Sequence, residues 1–343
     1  MSKILVSGGA GFIGTELIEQ LLDAGHDVVC LDRVFFGTEV LAAFAKRPSF
    51  TLVRDDVRFF DPVHLAGVDA VMDLAGISND PACELDAEVT KQVNWCGSVR
   101  LAKLAKAAGV SRYIFSSSCS VYGQGNTRDL TEESELAPVS LYAECKMHAE
   151  QDLLALDSDQ FAVSVLRNAT VYGPSRRMRY DLVVNLMTAK AFTDRVIYVL
   201  GGGQQWRPNV HVRDVARAFV HVFSSPVDAV AGQVFNVGSN DQNFRVIDIA
   251  HIVRDVMPYV SIQVVPDDPD RRSYHVNFDR ITQDLGFRTL FSVADAVAEI
   301  KQRMTNGTVW SFSDPRSKTL EYYSWLIKAR TVLEDVSLDG RLF

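Results

Sequence analysis

The chain has no apolar run near the ~18 residues that cross a bilayer, and its first residues carry no signal-peptide pattern. Both absences point to a cytoplasmic protein with no membrane contact. Cysteine is scarce and unpaired. The five, Cys30, Cys83, Cys96, Cys119 and Cys145, form no C-x-x-C, and their number is odd. That argues against a disulfide framework and fits free thiols in a reducing compartment. The seven histidines show no metal-ligand spacing. Positive charge is in deficit, with 35 Lys and Arg against 43 Asp and Glu and a net charge of −8. A nucleic-acid partner, which calls for a basic face, is therefore not expected. Repeats, low-complexity tracts and long linkers are also missing. What remains is 343 residues, 47% hydrophobic, enough for one large or two fused domains.

The organising stretch lies at the start. Residues 3–7 form a short apolar, β-branched run, followed by Gly8-Gly9-Ala10-Gly11-Phe12-Ile13-Gly14. Residues 15–24 then place Leu17, Ile18, Leu21 and Leu22 at helical spacing, and Gly25 sits where the helix stops. Strand, glycine turn and helix form the context of a dinucleotide fingerprint. The spacing is G-x-x-G-x-x-G, from Gly8 through Gly11 to Gly14. Glycine lets the backbone approach a pyrophosphate, which then faces the helix N-terminus. A second apolar run, 26–31, ends in Asp32, at the ~20-residue spacing of an acid that grips an adenosine ribose diol. That carboxylate would repel a 2′-phosphate, so NAD is favoured over NADP.

Further along, residues 50–54, 69–75, 112–117 and 161–166 read as strands, and 86–108 and 140–156 as helices. Alternation of wholly apolar strands with helices predicts a parallel sheet covered on both faces. The fold class is α/β, a Rossmann-type doubly wound sheet with a smaller α/β substrate-binding lobe. The expected dinucleotide domain is 1–169 with 205–237 returning to it. The lobe takes 170–204 and 238–343. Within the second half, 181–192, 210–223 and 246–257 read as helices, 233–237 and 261–265 as strands, and 267–272 as a loop. The aromatic cluster of 310–343 reads as a packed terminal helix. Asp56-Val57, after the third strand, reads equally as an adenine contact or a plain turn. Small residues at Leu74-Ala75-Gly76 would let backbone pass close to a cofactor.

Two stretches carry chemistry. One is the hydroxyl-rich run from Ser116 to Gly123, and the other is Tyr142-Ala143-Glu144-Cys145-Lys146. Tyr142 and Lys146 are four apart and share a helix face. An ammonium beside a phenol lowers the phenol's pKa from about 10. The phenolate can then take a proton from an alcohol as hydride leaves the same carbon. Ser118 would hold that hydroxyl in line.

The sequence resembles the extended short-chain dehydrogenase/reductases, in the family of NAD-dependent nucleotide-sugar epimerases and dehydratases. The resemblance runs from residue 3 to about 287. It rests on Gly8 to Gly14, Asp32, Asp56-Val57, Leu74 to Gly76, Asn94, Ser116 to Gly123, Tyr142 with Lys146, Leu166 to Pro174, Arg207 to Asp214 and Arg271 to Gly286. It implies NAD held by Gly8, Gly11, Phe12, Ile13, Gly14, Asp32, Asp56, Val57, Leu74, Ala75, Gly76, Asn94, Ser116, Tyr142, Lys146, Asn168 and Ala169. It implies Tyr142 as acid/base at C4 of a hexose, tuned by Lys146, with Ser118 on the substrate hydroxyl. Ser118, Cys119, Ser120, Thr170, Asn185, Arg207, Arg271 and Arg272 would contact a nucleoside-diphosphate sugar. Guanidinium groups suit its phosphates because they offer several donors in a planar fork. A homodimer is implied too, through helices near 86–108 and 140–156.

Departures bear on the reaction. Sugar 4,6-dehydratases carry Asp-Glu directly after the serine, and decarboxylases keep the glutamate, whereas this chain has Cys119 and Ser120. The leading expectation is a C4 epimerase. A C4 dehydrogenase or ketoreductase shares the same residues. Cys119 reads as a buried filler or as an acid/base of C3/C5 epimerisation or atypical dehydration. A non-catalytic NAD sensor fits poorly with an intact Ser118, Tyr142 and Lys146. Thr170 stands where many relatives have an asparagine touching the substrate phosphate.

Overall fold

The computed structural model describes residues 1–123, 129–266, 273–337 and 341. The short apolar runs become the strands of one sheet: β1 (Lys3–Ser7), β2 (Asp27–Asp32), β3 (Phe50–Arg54), β4 (Ala70–Asp73), β5 (Arg112–Ser118) and β6 (Ala162–Asn168). Three strands then leave it, β7 (Thr170–Tyr172), β8 (Val196–Leu200) and β9 (Trp206–His211), before β10 (Gln233–Val237) returns. The order is β10-β6-β5-β4-β1-β2-β3, and every pairing is parallel. β4 and β6 are buried along their whole length, as a sheet covered on both faces requires. Alternation along β1 sends Ile4 and Val6 into the core on one face and Leu5 into the core on the other. The order reverses between β1 and β4. A crevice therefore opens beyond their carboxyl ends, where ligands of such sheets bind.

The lobe is built on two small sheets. β9 lies between β7 and β11 (Asn243–Arg245), and β8 pairs with β12 (Ser261–Val265). Its core joins Tyr172, Val184, Ile197, Ile249 and Val297. The strands expected at 233–237 and 261–265 have those bounds. The helix expected over 210–223 starts later, as Val212–Ser224, because Trp206–His211 is strand. Nothing in the local pattern separates them, since β9 runs straight into the helix. His211 makes the junction, its Nδ1 accepting from the Arg213 N–H at 3.1 Å. The long helix expected over 86–108 is interrupted by a π-helical stretch, Gln92–Gly97, between Ala87–Lys91 and Ser98–Ala107. The expected loop at 267–272 lies outside the described residues.

The terminal helix, Thr319–Val336, is present but is not packed into a core. Only Thr319 is buried, and Trp325 is 54% exposed. Among the described residues no helix is long and apolar enough to cross a membrane, and no His, Cys, Asp and Glu group is arranged for a metal.

One buried acid sets a pH dependence of stability. Glu16, on the first helix (Phe12–Asp23), is 7% exposed, with Arg213 Nε 3.8 Å away. Burial pushes its carboxyl up to about 7, against the partial opposition of Arg213. The folded state therefore holds a proton that the unfolded state has released, and stability falls as pH rises through 4.5 to about 7. Glu16→Gln is expected to remove that fall, worth up to about 3 kcal/mol. Chemical denaturation at pH 5 and pH 8 checks it: wild type loses stability between them and the variant does not.

Candidate active site

The carboxyl ends of β1, β4, β5 and β6 face a cavity of about 1040 Å³. That is at the upper limit of ordinary small-molecule pockets, and fits two ligands better than one. Gly8, Gly11, Phe12, Ile13, Gly14, Asp32, Asp56, Val57, Leu74, Ala75, Gly76, Ser116, Tyr142, Lys146, Asn168 and Ala169 all line it, as do Ser118, Ser120, Thr170 and Arg207.

The glycine turn is shaped for close approach. Gly8 has φ +67°, and a Cβ there would stand 2.8 Å from the Leu74 carbonyl. A Cβ on Gly14 would run into the Gly8 carbonyl. The first helix opens at Gly11 with no side-chain cap and no acid in its first turn. Its free N–H groups and dipole therefore face the cavity, which suits a diphosphate. Asp32 accepts from the Ala10 N–H at 3.0 Å and the Val34 N–H at 2.7 Å, and burial raises its pKa. Asn168 donates to Ser116 Oγ and the Ser117 carbonyl, both at 3.1 Å, while its Oδ1 is buried without a partner. An orphaned acceptor in this place fits the carboxamide N–H of a nicotinamide. These features match NAD from the diphosphate to the nicotinamide. The Asp56 carboxylate is already engaged by Arg58 and Arg33, which hold its pKa near 2 despite burial, so an adenine amino group would share it with them.

At the other end, Tyr142 and Ser118 both line the cavity, and Ser118 Oγ accepts from the Ser120 N–H at 3.1 Å. Lys146 Nζ donates to the Ser116 carbonyl at 2.7 Å and stands 5.9 Å from the Tyr142 ring centre. The lowered phenol expected from Lys146 is not what the protein shows. Burial drives the Tyr142 pKa well up, Cys83 and Asp80 add to it, and Arg179 and Ser118 pull it back only in part. Lys146 is itself pulled down by burial.

Three expected contacts are corrected. Cys119 is 1% exposed, donates Sγ–H to the Arg167 carbonyl at 3.2 Å, and does not line the cavity. Burial pushes its thiol far up, so it is a core residue and not an acid/base. Asn94 sits behind the wall, accepting from the Ile77 N–H at 2.7 Å and donating to the Ile77 carbonyl at 2.9 Å. Asn185 is likewise internal, bracing Gly173 and the Arg179 carbonyl. Arg271 and Arg272 lie outside the described residues.

Other cavity residues escape sequence reasoning: Arg177, Arg179, Asp181, Asp80 and Tyr323. Arg179 pairs with Asp181 at 2.9 Å and donates to Ser78 Oγ at 3.1 Å. Asp80 accepts from Ser140 Oγ. The closely spaced Arg177, Arg179 and Asp181 were the only signal, and charged loops are common.

A profile described as the NAD dependent epimerase/dehydratase family matches residues 4–238. A UDP-glucose 4-epimerase of Mycolicibacterium smegmatis is 29% identical over 89% of this chain and 99% of its own. UDP-glucuronic acid decarboxylase 1 of Arabidopsis thaliana is 28% identical over 89% of this chain and 71% of its own. For the UDP-glucuronic acid decarboxylases of Xenopus tropicalis and Danio rerio, each 27% identical, the match covers 79% of this chain and 65% of their own length. The dTDP-glucose 4,6-dehydratase of Streptomyces venezuelae, solved with NAD, superposes with a TM-score of 0.79 at 27% identity, over 89% of this chain and 98% of its own. With the match covering more than half the chain and the cavity carrying the fingerprint, this protein belongs to the NAD dependent epimerase/dehydratase family.

Proposed function

We propose that the chain is a nucleotide-sugar epimerase acting through transient oxidation at C4 of the sugar. The observation that carries this reading is that Tyr142 and Ser118 line the cavity together, with no carboxylate at 119 or 120 to eliminate water. Ser118 orients the C4 hydroxyl, and Tyr142 takes its proton and returns it. Bound NAD supplies the hydride acceptor and donor. Lys146 would hold the nicotinamide ribose, with Asn168 on the carboxamide. Arg207, 8% exposed and lining the cavity, would meet the sugar diphosphate. Relatives that act on UDP-glucose, UDP-glucuronic acid and dTDP-glucose support a nucleoside-diphosphate sugar as substrate. The homodimer and the cytoplasmic location expected above belong to the same reading.

Asp80 favours a second reading. It is a cavity carboxylate near enough to raise the Tyr142 pKa, and it could serve C5 deprotonation where the usual acid pair is missing. Proton NMR in heavy water separates the two, using the purified protein with NAD and UDP-, GDP-, CDP-, ADP- and dTDP-sugars. Inversion at C4 without solvent deuterium is the expected result. Deuterium at C3 or C5 would transfer the chemistry to Asp80. A keto product with accumulating NADH would make the protein a dehydrogenase.

A further inference from the structure

The loop after β2 and the terminal helix meet across the ribose end of the cavity. Phe36 packs on Tyr322 and Tyr323 with ring centres 5.3 and 5.7 Å apart, and Phe35 meets Tyr323 edge-on at 5.9 Å. Tyr322 Oη donates to the Phe35 carbonyl at 2.9 Å, and Arg316 pairs with Glu39. Tyr323 lines the cavity close enough to Asp32 for the two to interact electrostatically. The helix thus touches the site through its first turns while Trp325, Val332 and Val336 remain exposed.

Arg177 is the second observation. It is 3% exposed and lines the same cavity. Its guanidinium lies 3.7 Å from the Phe36 ring centre and donates to Thr319 Oγ1 at 3.0 Å. Its Nε is buried with no partner, and among the described residues no carboxylate stands within ion-pair distance. Neighbouring Arg179, by contrast, is neutralised by Asp181. Ser175 Oγ donates to the Phe12 carbonyl at 2.7 Å, which ties the segment carrying Arg177 to the first helix's opening turn. A buried cation with no carboxylate in contact is costly, and burial holds the Arg177 pKa down to about 9, with Asp181 and Asp32 opposing it only in part. An anionic ligand in the cavity that Arg177 lines would supply the missing charge.

We propose that the C-terminal segment completes the cofactor site. Arg177, positioned by Thr319 and Phe36, neutralises the cofactor diphosphate, and Tyr323 forms the wall beside the ribose held by Asp32. NAD so enclosed would be retained through many turnovers. This goes beyond the reaction proposed above and stands whichever sugar chemistry the enzyme performs.

The test reads NAD directly, without turnover. Calorimetric NAD and UDP affinities, the NAD dissociation rate and the melting temperature are compared for the full chain, Arg177→Gln, Tyr323→Ala and a deletion of 319–343, with exposed Leu333→Ser as control. Arg177→Gln and the deletion should weaken NAD by about tenfold or more and speed its release, with Tyr323→Ala weaker in the same direction. UDP affinity and the control should not change. The proposal is overturned if NAD affinity is unaltered, or if the deletion tightens it, which would mean that the helix obstructs the site. It is also overturned if Arg177→Gln loses UDP but keeps NAD, which would place the cation on the substrate. Should the deletion not fold, the two point variants decide.

Discussion

Tyr142→Phe is expected to lower kcat by about 10²–10⁴-fold while leaving NAD affinity and melting temperature almost unaltered. The phenyl ring keeps the packing of the tyrosine, and only the hydroxyl is lost. Lys146 Nζ is committed to the Ser116 carbonyl, and Cys119 points into the core. The pH profile gives an independent check. Burial holds the phenol pKa well above its ordinary value, so the base form is scarce near neutrality. The wild-type kcat/KM should therefore climb with pH through the alkaline range, and the variant's residual rate should not. Equal slopes for both proteins would remove Tyr142 from the proton transfer. A flat wild-type profile would place the phenol in a different electrostatic setting when both ligands are bound.

The parts of this site that were legible in the sequence are the parts fixed locally. The Gly8 turn announces itself because only glycine takes its φ of +67° against the Leu74 carbonyl. Asp32 follows by spacing, and Tyr142 and Lys146 by one helical turn. The illegible parts depend on distant partners. Arg177 acquires its environment from Thr319 and Phe36, each more than a hundred residues away, and Tyr323 reaches Phe35 across about twice that gap. Cys119 stays open in the sequence, between buried filler and acid/base, for a subtler reason. After Ser118 the chain enters a 3-10 turn, Cys119–Tyr122, which sends the thiol into the core and brings Ser120 back to the cavity. Residue type at 119 and 120 could be read, but direction could not. The helix expected over 210–223 takes in the last two residues of β9, because a strand continuous with a helix leaves no punctuation between them.

The largest stability effect should come from a residue outside the cavity. Glu150→Ala is expected to cost about 3–5 kcal/mol in urea or guanidinium denaturation. Glu150 and Arg167 have side chains 2% and 6% exposed and pair at 2.8 Å, with Arg167 Nε a further donor at 3.1 Å. Removing the carboxylate strands a guanidinium that has only Tyr122 Oη and the Glu132 carbonyl left to bond. Ser117 loses its acceptor at the same time, since its Oγ donates to Glu150 Oε1. The damage should reach catalysis through that bond. Ser117 lies next to Ser118 at the end of β5, so kcat should fall more than NAD affinity does. Replacing both partners by apolar residues of similar size, Glu150→Leu with Arg167→Met, should recover much of the lost stability, because no uncompensated charge remains. It should not recover kcat, because Ser117 still lacks its acceptor. If stability and kcat returned together, the pair would be a packing device alone, and the alignment of Ser118 would have to come from the Ser120 N–H.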